Sequence, residues 1–124
     1  MYTYPKSLTD KIKSVESLKK MLEKKPDKTV VMCHGTFDIV HPGHIRHLIY
    51  AKQQGDLLIA SCTADKYIEK GKDKPFIPEE LRARNLAALE MVDYIIIDQN
   101  KTPVENILLI KPNLFVKGFE YSKD

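Results

Sequence analysis

Four histidines, His34, His41, His44 and His47, fall in one stretch, residues 30–54, VVMCHGTFDIVHPGHIRHLIYAKQQ, and the chain has no others. An imidazole can bind a metal, move a proton or donate to a phosphate oxygen, so its neighbours decide which chemistry is on offer. A metalloprotease-like site wants His-Glu-x-x-His and a third ligand, whereas Pro42 and Gly43 stand between His41 and His44. Those two residues fit close backbone approach to a ligand better than a zinc site. Before the loop runs a β-branched, apolar segment, residues 29–33. Gly35 breaks it, and a helical pattern starts at Pro42. A strand feeding a helix through such a loop aims backbone N–H groups and the positive helix end at one point, where imidazoles meet phosphate. The reading is a nucleotide site. The Walker lysine–serine loop and the Gly-x-Gly-x-x-Gly fingerprint are both absent, which disfavours a kinase-type or dinucleotide loop.

The elements that must position this stretch are legible from periodicity. Residues 7–25 read as a leading amphipathic helix within segment 1–27, capped by Ser7 or Thr9, with Ile12, Val15, Leu18 and Leu22 at helical spacing. The helix from Pro42 runs to about Gln54 with Ile45, Leu48 and Ile49 inward, and Gly55 ends it as a left-handed residue. Residues 56–62 are a nearly continuous apolar strand, and 63–74 a short helix and lysine-rich loop. A helix is expected over 78–91, a strand over 93–97, a helix capped by Thr102 with Pro103 first, and a strand over 114–117. Solidly apolar strands alternating with helices predict an α/β, Rossmann-like parallel sheet of about four to five strands, with helices on both faces. The loops leaving the strand carboxyl ends then converge on one rim.

At 124 residues the chain is expected to form one domain, 1–124. Its 43% hydrophobic and 30% charged content is that of a water-soluble globular protein. No apolar run approaches the ~20 residues of a membrane span, and the N-terminus lacks a signal-peptide core, so no membrane and a cytoplasmic location are expected. A net charge of +3 without a long Lys/Arg block excludes nucleic acid as a partner. Cys33 and Cys62, each inside an apolar run, are expected to be inert core thiols.

Gly35-Thr36-Phe37-Asp38 followed by His41-Pro42-Gly43-His44 resembles the nucleotidyltransferase superfamily with the His-x-Gly-His motif. That superfamily includes the glycerol-3-phosphate and ethanolamine-phosphate cytidylyltransferases, pantetheine-phosphate adenylyltransferase and the heptose-1-phosphate adenylyltransferases. Lys70-Gly71-Lys72 looks like its lysine-bearing loop. Ile77-Pro78-Glu79-Glu80-Leu81-Arg82, continuing through Leu86 to Asp93, is similar to its arginine-bearing helix and next strand. Val116-Lys117-Gly118 with Glu120-Tyr121, and the leading helix, resemble the heptose-phosphate branch. The similarity covers roughly residues 10 to 121. Two departures stand out. His34 and Thr36 occupy places where that branch has asparagine and cysteine, while Gly-Thr-Phe-Asp is the cytidylyltransferase form, so the base is split between CTP and ATP. The chain also ends before the family's Ser/Thr- and Arg-bearing helical segment, and is therefore expected to lack a C-terminal part of a longer chain and to be fused to a further domain there.

The resemblance implies an enzyme of EC 2.7.7 type, moving a CMP or AMP group from CTP or ATP to a phosphorylated sugar or alcohol and releasing pyrophosphate. The attacking phosphate is already an anion, so the work is positioning and charge stabilisation. By the same resemblance His41, His44, Lys70 and Arg82 are the catalytic set, and Gly35, Thr36, Phe37, Gly43, Lys72 and Lys117 contact the nucleotide. Asp38 holds the loop. Protonation of the two motif histidines is expected to be promoted by the bound nucleotide. His34 and His47 are expected to be structural or surface groups, and Arg84 solvated. Mg2+ is expected with the triphosphate but with no dedicated protein ligands, and a homodimer follows from the family alone. The alternative is a regulatory nucleotide-binding domain that keeps the pocket without the transfer.

Overall fold

In a computed structural model of the chain, residues 3–68 and 77–117 are described. Four strands, β1 (Val30–Gly35), β2 (Leu57–Thr63), β3 (Tyr94–Asp98) and β4 (Leu114–Phe115), form one sheet in the order β3-β2-β1-β4. Every pairing is parallel, with Val30 opposite Leu57, Ile59 opposite Tyr94 and Val31 opposite Leu114. The expected α/β, Rossmann-like architecture is what the chain forms. Strand order runs outward from β1 through β2 to β3, then returns to the other side of β1, so it reverses beside β1.

Alternation along each strand sends neighbouring side chains to opposite faces. Val31, Cys33, Leu58, Ala60, Cys62 and Ile95 pack on one face with Leu48 and Ala51 of α3 (Pro42–Gln53) and with Ala83, Leu86 and Ala87 of α4 (Glu79–Ala87). Val30, Met32, Ile59 and Ile96 pack on the other with Leu18 of α2 (Val15–Glu23) and Ile110 of α5 (Val104–Ile110). The strands are buried on both sides, which is why they read as solid apolar runs.

Four local expectations are corrected. The leading helix is two pieces, α1 (Lys6–Thr9) and α2, the second capped by Ser14, whose hydroxyl accepts from Ser17 N at 3.1 Å. Between them the backbone joins the free edge of β3: Ile95 N donates to Lys11 O and Lys13 N donates to Ile95 O, both at 2.9 Å. Tertiary pairing outcompetes helical propensity there, and it covers a strand edge. In α3 the inward residues are Leu48 and Ala51, while Ile49 is 40% exposed. Gly55 is not left-handed. The helix closes on Gln54 in right-handed geometry, and a Cβ on Gly55 would lie 2.7 Å from Val31 Cγ2 and 2.8 Å from the Thr29 carbonyl. Glycine is needed there for room, not for handedness. At α5 the boundary shifts by one residue: Pro103 is the cap position, and Thr102 Oγ1 accepts from Val104 N at 3.4 Å.

Candidate active site

β1 ends in the Gly35 loop, and α3 begins seven residues later with Pro42 at its first position, where the missing N–H costs nothing. His41 is the cap residue of this helix. Its Nδ1 accepts from Gly43 N at 3.0 Å, and His44 Nδ1 accepts in return from His41 N at 3.2 Å. Histidines thus form the reciprocal cap usually built from Ser and Glu. A nitrogen that accepts from a backbone N–H carries no proton, so both rings are held as neutral Nε2–H tautomers. The rings lie close together, centroids 4.0 Å apart and tilted by 37°. Full protonation would break both caps and set two cations against each other. This geometry leaves each ring its Nε2–H to donate at the positive end of a twelve-residue helix.

The loop before the helix is shaped by Phe37. Its φ of 53° lies in the left-handed region, unusual for so bulky a residue, and its ring is buried. A Cβ on Gly35 would sit 3.2 Å from that ring, so glycine makes room for Phe37 as well as leaving the backbone bare. Asp38 Oδ1 accepts from Ile77 N at 2.9 Å, tying the loop to the start of α4 in the holding role expected of it.

Arg82 takes a different place from a group presented to phosphate. It is fully buried, and its guanidinium donates to the carbonyls of Ile77, Thr36 and Thr63 at 2.9, 2.8 and 2.6 Å and to Asp65 Oδ1 at 2.6 Å. One planar fork therefore fastens the glycine loop, the end of β2, the short 3-10 turn Asp65–Tyr67 and the approach to α4. Arg84 is partly exposed, its guanidinium 5.4 Å from the centre of the Tyr4 ring. The structure brings Gly35, Thr36, Phe37, His41, Gly43 and His44 together with Arg82 behind them. Lys117 is exposed just beyond β4, on the same strand-carboxyl side. Lys70 and Lys72 lie outside the described residues.

Sequence reasoning missed a polar cluster on the α2/α5 face of the same rim. His34 Nδ1 lies 2.8 Å from Ser61 Oγ and 3.9 Å from Asp98 Oδ2, and its Nε2 lies 3.2 Å from Thr63 Oγ1. Asp98 is fully buried. The available signal was a charged residue closing an apolar strand in step with His34. Among the described residues no group of three or more His, Cys, Asp or Glu side chains is arranged to hold a metal ion.

Residues 32–124 match the model of the family described as cytidylyltransferase-like. The chain belongs to that family. Among curated relatives it is 40% identical over 113 residues to the bifunctional protein HldE of Campylobacter concisus, covering 90% of this chain and 24% of that protein. It is 44% identical over 113 residues to the HldE protein of Campylobacter jejuni subsp. doylei, with the same coverage. The chain thus spans about a quarter of these relatives' length. The crystal structure of a lipopolysaccharide core biosynthesis protein from Thermoplasma volcanium superposes with a TM-score of 0.65 at 30% identity, covering 71% of this chain and 72% of that one. The family resemblance read from the motifs is borne out. No helix among the described residues is long and apolar enough to cross a membrane.

Proposed function

We propose that this cytidylyltransferase-like domain is a nucleotidyltransferase that moves CMP or AMP from CTP or ATP to a phosphorylated sugar or alcohol. The observation that carries this reading is the double histidine cap: two neutral Nε2–H donors fixed at the helix end that faces the glycine loop. An oxygen of the acceptor phosphate attacks the α-phosphorus, the bond from that phosphorus to the bridging oxygen breaks, and pyrophosphate leaves with the electron pair. No side-chain nucleophile or base is required. His41 and His44 donate to oxygens on the α-phosphorus, where charge spreads in the transition state, and they need no proton exchange to do so. Backbone amides of Thr36 and Phe37, with Gly35 and Gly43 allowing close approach, hold the adjoining phosphates. Lys70, Lys72 and Lys117 neutralise the remaining charge of the two substrates. Arg82 acts from behind, by fixing the loop. A magnesium ion would arrive with the triphosphate, held by phosphate oxygens and water.

The test is calorimetric titration of the chain with CTP and with ATP, each with magnesium, followed by pyrophosphate release across sugar and alcohol phosphates. Binding of one triphosphate, lost in His44→Ala, together with release driven by one class of ester, is the expected result. Tight binding with no release from any ester would support the regulatory-domain alternative and overturn transfer.

A further inference from the structure

On the α2/α5 face the sheet changes character within one strand repeat. Met32 gives way to His34, Ile59 to Ser61, and Ile96 to Asp98. Ser61 and Asp98 are fully buried and Asn106 of α5 nearly so. Packing does not demand this, because the same face is filled by apolar side chains two residues earlier. A buried carboxylate is costly unless its lone pairs are met. Asp98 Oδ1 is met twice, by Asn100 N at 2.8 Å and Asn100 Nδ2 at 3.0 Å. Oδ2 has no hydrogen-bond partner among the described residues, and His34 Nδ1, which can take a positive charge, stands 3.9 Å from it.

His34 is in turn linked to the phosphate loop. Thr63 Oγ1 lies 3.4 Å from the Gly35 carbonyl and 3.2 Å from His34 Nε2. A hydroxyl has one proton to give. Donated to the carbonyl, it leaves the oxygen to accept from His34 Nε2–H. Nδ1 then either accepts from Ser61 or carries a second proton on the side of Asp98. A continuous path thus runs from Asp98 through His34 and Thr63 to Gly35, the first residue of the loop. The groups around the pair are Ser61 and Thr63 of β2, Asn100, and Asn106 of α5. From α4, Arg82 reaches the Thr63 carbonyl with its own charge balanced by Asp65.

We propose that Asp98 and His34 are a positioning pair that sets, through Thr63, where the Gly35–Phe37 loop stands during nucleotidyl transfer. This rests on the transfer reading above. The pair explains why an incompletely bonded carboxylate is kept inside the fold: its task is to orient and charge-balance the ring, not to add stability.

The test uses Asp98→Asn, which keeps the side-chain shape and an oxygen for Asn100 while removing the charge, and His34→Gln. Expected are a melting temperature unchanged or raised in Asp98→Asn and a kcat lowered about ten- to a hundredfold, more than triphosphate affinity falls. A double variant no slower than the slower single one is also expected, because the two residues act along one path. The amide resonances of Gly35, Thr36 and Phe37 should shift alike in both single variants. Multiplying rate losses, or loop resonances unmoved in both variants, would overturn the pair. If the unaltered chain releases no pyrophosphate with any ester, the transfer reading fails by itself. The loop resonances then still decide: shifts shared by the two variants uphold the pair, and their absence ends it.

Discussion

On the α3/α4 face of the sheet the strands stay apolar to their carboxyl ends and the charge is supplied from behind, whereas on the α2/α5 face the strands themselves turn polar. Cys33 and Cys62 close the first face as buried thiols, with Phe37 packed beside them and Arg82 fastening the loops above. His34, Ser61 and Asp98 close the second. The first arrangement is a rigid support: Arg82 donates to three carbonyls and to Asp65, and the helix cap fixes two imidazole rings. The second keeps an unmet carboxylate oxygen next to a titratable ring. One loop is therefore held from two sides, by stability on one and by charge balance on the other.

The contrast is broken most directly at the cap. His44→Ala is expected to slow transfer by about 10²–10³-fold, the loss typical of removing one transition-state donor. The fold should lose only about 1 kcal/mol for the missing cap. Pyrophosphate release and a urea melt measure the two, and a large stability loss with proportionate activity would mean the ring is mainly structural. Arg82→Met should do the reverse. Removing a fully buried guanidinium leaves three carbonyls and Asp65 without their donor, at about 3 kcal/mol, Asp65 being part-exposed and able to rehydrate. Arg82→Lys should not restore this, because an ammonium lacks the planar fork. A variant with intact stability but weakened triphosphate binding would instead make Arg82 a phosphate ligand.

Much of this architecture was legible beforehand because it is local. Apolar runs bounded by Gly and Pro located the strands, and Pro42 marked the start of α3. What escaped was set by contacts distant in sequence. The leading helix breaks because Lys11 and Lys13 pair with Ile95, which no helical periodicity reveals. Gly55 follows from the closeness of Val31 and Thr29 across a strand pair. At the site, His41, His44 and Gly35 declared themselves by spacing. Arg82 was expected to contact phosphate, and its burial beneath the loop could not be read from a helix whose first turn is acidic and whose outer face is charged. Asp98 fell just past the strand expected over 93–97, and only the parallel register set it near His34.

Cys62 sharpens the same comparison at alkaline pH. Burial pushes its thiol up to about 11, against a usual value near 9.0, with Arg82 lowering it and Glu79 and Asp65 raising it by smaller amounts. The folded state therefore favours the neutral thiol. Its contribution is full below about pH 9 and is lost as pH rises towards 11, on the order of 2 to 3 kcal/mol in all. Cys62→Ala should flatten this alkaline limb relative to the unaltered chain in urea melts at pH 8, 9 and 10, and identical limbs would mean the thiolate is tolerated in the core.

The smallest expected effect is an absence of change. If the cap holds His41 and His44 as Nε2–H tautomers, their ¹⁵N resonance patterns should stay those of neutral rings when CTP or ATP is added with magnesium. An imidazolium cannot accept from a backbone N–H, so a doubly protonated pattern at either residue on nucleotide addition would require the cap to open, and the helix end would then bind phosphate by charge. His34 serves as the internal reference. Its ring is backed by Asp98 rather than by a helix end, and the Asp98→Asn substitution should alter its pattern while leaving those of His41 and His44 in place. Were all three histidines to respond together, the two faces of the sheet would be one electrostatic unit and the division between a neutral and a charge-balanced side would fall.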